Sequence, residues 1–198
     1  MTFDPASIAD ENAEQVMRKM ILYYRPQDSI FGEEGGLHKG TSGLTWVLDP
    51  IDGTRGFIAG QTSWTVLVSL IEGKEKHFGI IYQPFTNEMF VGSKNASELI
   101  SNNNLKSLGV RKYELLSNAI SHTTDPRMGN DGENHVMNKL RDQCSFSRYS
   151  LDAHGLMAMG YIDLIIECSM QFYDLQAPIV IVESAGGIVS DWVGGFQL

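Results

Sequence analysis

The chain has 198 residues, long enough for one domain, or two small ones, with a sizeable buried core. Its 24 acidic residues outnumber the 15 basic ones and give a net charge of −9, which argues against general nucleic-acid binding. No apolar run approaches a membrane span, no signal peptide is read at the start, and Cys144 and Cys168 form no spaced metal pair, so a reduced, cytoplasmic protein without membrane partners is expected.

The segment Phe3-Asp4-Pro5-Ala6-Ser7-Ile8-Ala9-Asp10 leads into a helix. Ala13, Val16, Met17, Met20, Ile21 and Tyr24 fall at helical spacing, Ser7 suits the cap, and Asp10 and Glu11 suit the first turn. On this pattern alone Asp10 reads as a helix-dipole residue. Arg25-Pro26 ends the helix. Ser29–Gly32 is a short strand, and Glu33-Glu34-Gly35-Gly36 follows it. Adjacent acids before a glycine pair commonly make a solvated loop, but these follow a strand and can meet another strand end at one sheet edge. Leu37–Gly43 reads as a polar loop with His38 and Lys39 solvated.

The next stretch, Trp46-Val47-Leu48-Asp49-Pro50-Ile51-Asp52-Gly53-Thr54, starts as a strand over Leu44–Leu48, which Pro50 is expected to stop. Asp49 and Asp52 flank that break and can share one strand end. Two carboxylates so placed need a cation to offset their repulsion, and hard oxygen donors suit Mg²⁺ rather than Zn²⁺. Backbone N–H groups at Gly53 and Thr54 suit a phosphate oxygen. This is a metal site beside an anion site, in a protein acidic enough to need metal ions for an anionic substrate. The plainer alternative, a surface turn, stays open at this point.

Trp64–Ile71, His77–Tyr82 and Glu88–Val91 form an antiparallel meander with a turn at Glu72-Gly73-Lys74. Lys94–Gly109 is polar and weakly periodic, which places a boundary near Lys106 and divides the chain into 1–106 and 107–198. Strand and helix then alternate as in a βαβ arrangement: strands over Leu115–Ser121, Cys144–Tyr149 and Tyr161–Cys168, helices over Glu133–Asp142 and Ala153–Met159. His122, His135 and His154 show no ligand spacing. Near the end, Asp174 opens a helix whose start Pro178 is expected to fix, Gly186-Gly187 closes it, and Ile188–Trp192 begins a strand. Asp174 is either a helix cap or a carboxylate projected from a helix N-terminus into a site.

In order and spacing, Glu33-Glu34, the Asp49-to-Thr54 stretch, and Asp174 followed by Ala185-Gly186-Gly187 resemble the three signatures of the inositol monophosphatase family; Asp4-Pro5 with Asp10 resembles a fourth segment. The similarity runs over nearly the whole chain. It implies an α/β fold, the layered α-β-α-β-α sandwich of the inositol monophosphatase and fructose-1,6-bisphosphatase type, with an N-terminal α+β half over 1–106 and a C-terminal α/β half over 107–198. It also implies a Mg²⁺-dependent phosphomonoesterase holding two or three ions. Glu33, Asp49, Asp52 and Asp174 match the metal-ligand carboxylates, and Ile51 matches the position that offers a backbone carbonyl. Gly53 and Thr54 match the phosphate-contacting turn. Asp10 and Thr54 match the pair that orients the attacking water, which the metal, held in part by Glu33, activates. Glu167 falls where the family contacts the rest of the substrate.

The segments Arg55–Gly60, Gly79–Pro84 and Phe172-Tyr173-Asp174 look most like the histidinol-phosphatase branch. Hydrolysis of L-histidinol phosphate to L-histidinol, in histidine biosynthesis, is therefore favoured over an inositol-1-phosphate or broad sugar-phosphate activity. The partner is a small phosphate ester, and since the family commonly dimerises a homodimer is an open expectation. The region around Asp152 lies where the family shapes its substrate pocket. The chain also reads as shortened at both ends, before Phe3 and after Leu198. That adds a hypothesis of another class, a non-catalytic member that keeps the motifs.

Overall fold

The computed structural model describes residues 8–94, 96–148 and 153–195. The expected cap Ser7, the Asp4-Pro5 segment and Asp152 lie outside the described residues. Helix α1 (Ile8–Tyr24) is followed by strands β1 (Ser29–Gly32), β2 (Gly36–His38) and β3 (Leu44–Asp52). A short helix α2 (Thr54–Ile58) leads to β4 (Thr65–Glu72), β5 (Glu75–Gln83), β6 (Glu88–Ser93), β7 (Ala96–Ser101) and β8 (Asn104–Ser107). These eight strands form one sheet in the order β2-β1-β3-β4-β5-β6-β7-β8. All its pairings are antiparallel except β1 with β3.

A smaller sheet follows. Its strands are β9 (Ile120–His122), β10 (Phe146–Arg148) and β11 (Leu164–Ile165), parallel and in the order β10-β9-β11. Between and after them come α3 (Asp131–Arg141), α4 (Ala153–Ala158) and α5 (Phe172–Ser184). The molecule is thus a layered α/β fold, with helices packed on a large sheet. Its core joins Leu67, Ile81, Phe90 and Leu99 of the sheet to Ala158, Ala177, Ile181 and Ala185 of the helical layer. Two strand glycines let that layer come close: a Cβ at Gly79 would lie 2.6 Å from the Ala177 carbonyl, and one at Gly92 would lie 2.7 Å from Ile181 Cα.

Several expectations are corrected here. Pro50 does not stop β3, which runs on to Asp52. The register with β4 slips between Asp49 and Asp52, so the proline falls in a bulge where its missing N–H costs no ladder bond. Gly36–His38, read as loop, is an edge strand on β1. Lys94–Gly109 carries two strands, β7 and β8. Exposed on every residue, β8 lacks apolar alternation, and only the left-handed Asn102-Asn103 turn marks the hairpin. Pro178 sits inside α5 rather than in its first turn. Burial of Ala177, Ile179, Val180, Ile181 and Val182 outweighs the lost hydrogen bond. Leu115–Ser121 is a 3₁₀ turn (Leu116–Asn118) before β9, the Tyr161–Cys168 strand shrinks to two residues, and Ile188–Trp192 pairs with no strand among the described residues.

Candidate active site

Parallel pairing sets the site. Because Gly32 pairs with Leu48, the residues that follow each, Glu33 at the end of β1 and Asp49 at the bulge of β3, stand side by side. The Glu33 N–H continues the ladder to the Leu48 carbonyl at 3.2 Å. Helix α5 brings the third group. Phe31 on β1 packs against Phe172 and Tyr173, with ring centroids 5.8 and 6.3 Å away, and the next residue is Asp174. Its Oδ2 accepts the Gln171 N–H at 2.7 Å, so the side chain closes a capping box while standing in the site. One carboxylate oxygen each from Asp49, Asp52 and Asp174 lies within 4.8 Å of the others.

The geometry of each acid has a local cause. Asp49 is 2% exposed and accepts the Ile51 N–H at 3.1 Å, a turn that wraps the bulge around its own carboxylate. Asp52 accepts the Thr65 hydroxyl at 3.2 Å from across the bulged ladder. Gly53, at φ +89°, makes the left-handed step into α2. There Thr54 donates its hydroxyl to the Ile51 carbonyl at 3.1 Å, with Asp10 Oδ1 at 3.4 Å. Asp10 is fully buried on the first turn of α1, facing the site rather than solvent.

Burial pushes Glu33 up to about 7, and the charges of Asp174, Glu34 and Asp10 add to it, against a hydrogen bond with Asp49. Burial, then Asp174, raises Asp52 to about 7, and burial with Asp52, Glu33 and Asp174 holds Asp49 well above the usual carboxylate range. The acids therefore repel one another at a partly buried point, where Asp49 is buried and Glu33, Asp52 and Asp174 are half-buried, and an all-oxygen set of this kind fits a hard divalent cation. Such a cluster could hold a metal ion.

Glu167 follows the smaller sheet. Its Oε1 accepts the Thr124 N–H at 2.9 Å and the Thr124 hydroxyl at 3.1 Å, while its buried Oε2 has no hydrogen-bond partner among the described residues. Burial raises it to about 7, and its charge reaches Asp52. It lines an open groove of about 880 Å³ that none of the four clustered carboxylates lines. The histidines play no part in the cluster. Burial, with His122 nearby, lowers His154 to about 4 and keeps it neutral at pH 7.

The structure thus brings together Asp10, Glu33, Asp49, Ile51, Asp52, Gly53, Thr54 and Asp174, with Glu167 alongside. Thr65, Thr124 and Glu14, which support these groups, went unread in the sequence. Thr65 becomes visible only when the β3–β4 register is known.

A layered α/β sandwich with carboxylates gathered at the β1 and β3 strand ends defines a class, and sequence comparison agrees with it. The chain belongs to the inositol monophosphatase family, whose profile matches residues 2–198. It is 33% identical over 194 residues to the chloroplastic bifunctional phosphatase IMPL2 of Arabidopsis thaliana, covering 96% of this chain and 55% of that protein. It is 30% identical over 192 residues to a histidinol-phosphatase of Chlorobaculum parvum, covering 96% of this chain and 73% of that one. Among solved structures, an inositol monophosphatase from Zymomonas mobilis superposes with a TM-score of 0.85 at 35% identity, covering 98% of this chain and 78% of the other. The chain therefore spans about half of the plant relative and about three quarters of the bacterial ones. Among the described residues no helix is long and apolar enough to cross a membrane.

Proposed function

We propose that this chain is a Mg²⁺-dependent phosphomonoesterase, and that its substrate is L-histidinol phosphate. The observation that carries the first part is the set of acids at one point: Asp49, Asp52 and Asp174 within 4.8 Å, with Glu33 against Asp49. In this reading Glu33, Asp49, Asp52 and Asp174, with the Ile51 carbonyl, hold two or three cations. Bound cations lower the pKa of water and neutralise charge on a phosphoryl group. The chain's own groups do the rest. Thr54, backed by Asp10, orients the attacking water through its hydroxyl. Backbone N–H groups at Gly53 and Thr54 bind a phosphate oxygen, aided by the start of α2. Asp52 keeps its place through Thr65.

The substrate assignment rests on Glu167. Its carboxylate stands beside the cluster with one oxygen unsatisfied, which suits a cationic amino alcohol. Similarity to the Chlorobaculum histidinol-phosphatase supports this choice. The 35% identity to the Zymomonas inositol monophosphatase supports the second reading, myo-inositol 1-phosphate or a broad range of sugar phosphates. Phosphate release with Mg²⁺ from L-histidinol phosphate, myo-inositol 1-phosphate and an adenosine bisphosphate, measured in parallel with Asp49→Asn as control, decides among them. Preference for the first ester is expected. Release from none by soluble protein sinks the phosphatase reading and leaves a non-catalytic family member.

A further inference from the structure

We infer that Glu14, one helical turn beyond Asp10 on α1, is a positioning residue that sets the Glu33 loop for cation binding; this rests on the proposed cation role of the acidic cluster. Glu14 is 2% exposed, yet it is an acid on a helix whose neighbouring faces are open, so its burial needs a purpose in the fold. Its carboxylate accepts two backbone N–H groups of one loop and pairs with Arg18 on its own helix. Oε2 accepts the Glu34 N–H at 2.9 Å, and Oε1 accepts the Gly35 N–H at 2.8 Å. Oε1 also pairs with Arg18 Nε at 2.6 Å, and the far end of Arg18 donates to the Gly36 carbonyl at 2.5 Å.

The loop is cut to fit this carboxylate. A Cβ at Gly32 would collide with the Glu14 carboxyl group, and one at Gly35 would lie 2.8 Å from both Glu14 Oε1 and Arg18 Nε. Residues 34, 35 and 36 are therefore held from α1, with Gly32 packed close under the same carboxylate, and Glu33 sends its side chain toward Asp49. Two charge-assisted bonds hold the backbone on the far side of Glu33, and groups that orient a ligand in this way tune how tightly it holds a metal. The same helix face positions Asp10 against Thr54, so α1 aligns both the cation loop and the water-orienting pair.

The test is Glu14→Gln, which keeps the shape, removes the charge, and leaves one of the two N–H groups facing an amide donor. Mg²⁺ binding is measured by calorimetry, together with amide hydrogen exchange at Glu34 and Gly35. The expected result is a dissociation constant about tenfold weaker, with faster exchange at those two amides. Phosphate release should recover to within about twofold when Mg²⁺ is raised. Trp46→Phe, which breaks the 3.0 Å bond from Trp46 to buried Asp28, serves as a control for a purely structural loss. It should lower Tm without moving Mg²⁺ affinity. If Glu14→Gln does not fold, Gly32→Ala displaces the carboxylate while keeping its charge and should weaken Mg²⁺ to a similar degree. A lower Tm with an unchanged Mg²⁺ dissociation constant in Glu14→Gln, or in Gly32→Ala, overturns the inference. A wild-type protein that binds Mg²⁺ but releases no phosphate overturns the phosphatase reading alone, since the loop is judged by binding.

Discussion

The acids at the β1 and β3 strand ends stand on an eight-stranded ladder, whereas Glu167 hangs from three strands of three residues or fewer. The first group is tied down from four sides: the β1–β3 pairing, the bulge against β4, the Glu14 contacts from α1, and the aromatic packing of α5. Among the described residues Glu167 is tied by Thr124 alone, and it opens onto a groove. On the proposed function, the difference separates two tasks. Charges brought together against their repulsion need a stiff support, because a small displacement alters every pairwise term. A group that selects the non-phosphate part of a substrate can change with its surroundings and leave the chemistry intact.

The sharpest way to break this comparison is to damage each region in turn. Asp49→Asn should cut phosphate release on the order of 10³-fold for every ester, measured as kcat with saturating Mg²⁺. A loss confined to one ester would contradict a shared catalytic centre. Support of the stiff region can be tested without touching an acid. Gly79→Ala places a methyl group against the Ala177 carbonyl under α5. We expect a loss of about 2 kcal/mol, read as a drop in Tm of roughly 6 °C, with weaker Mg²⁺ binding because α5 carries Asp174. Unaltered Mg²⁺ affinity in that variant would mean that α5 and the cluster are less coupled than their packing implies.

The open region should give a smaller and more selective effect. Glu167→Gln is expected to lower kcat/KM about tenfold for L-histidinol phosphate and less than about twofold for myo-inositol 1-phosphate. Equal losses on both esters would move Glu167 from selection to catalysis. The last effect is on pH. Glu33 and Asp52 have folded-state pKa values of about 7, above their unfolded values. Their contribution to stability is complete below about pH 4 and is lost as pH rises through about 7. Metal-free protein should therefore melt at a lower temperature at pH 8.5 than at pH 5.5, and saturating Mg²⁺ should remove the difference. A metal-free Tm that rises over that interval would contradict the mutual repulsion.

How far the sequence reads depends on the range of the interaction. The existence of α1, the alternation of β4 and β5, and the strand-then-acid pattern at Glu33 and Asp49 are local, and they were legible; the inward face of α1 was not, since Val16, Met20 and Tyr24 are exposed while Asp10 and Glu14 are buried. So was the family, since its motifs are short and keep their order. The path of β3 through Pro50 was not legible, because a proline is tolerated or not according to which strand lies beside it, and here a bulge does. The β7–β8 hairpin was missed because an exposed edge strand has no buried face to impose a period of two. Asp10 and Asp174 each have an ordinary capping explanation along the chain, and only the packing of α1 and α5 turns them toward the same point.

By itself, then, the sequence determined the residue types at the strand ends, the family, and the kind of ion those oxygen donors favour. The tertiary structure alone decided which strand ends meet, that Thr65 supports Asp52, that Thr124 holds Glu167, and that Glu14 holds the loop around Glu33. The physical reason is that periodicity and turn chemistry act over a few residues. Pairing register and helix packing join groups 13 to 43 positions apart, as in Asp52 with Thr65 and Thr124 with Glu167, and no local pattern encodes those partners.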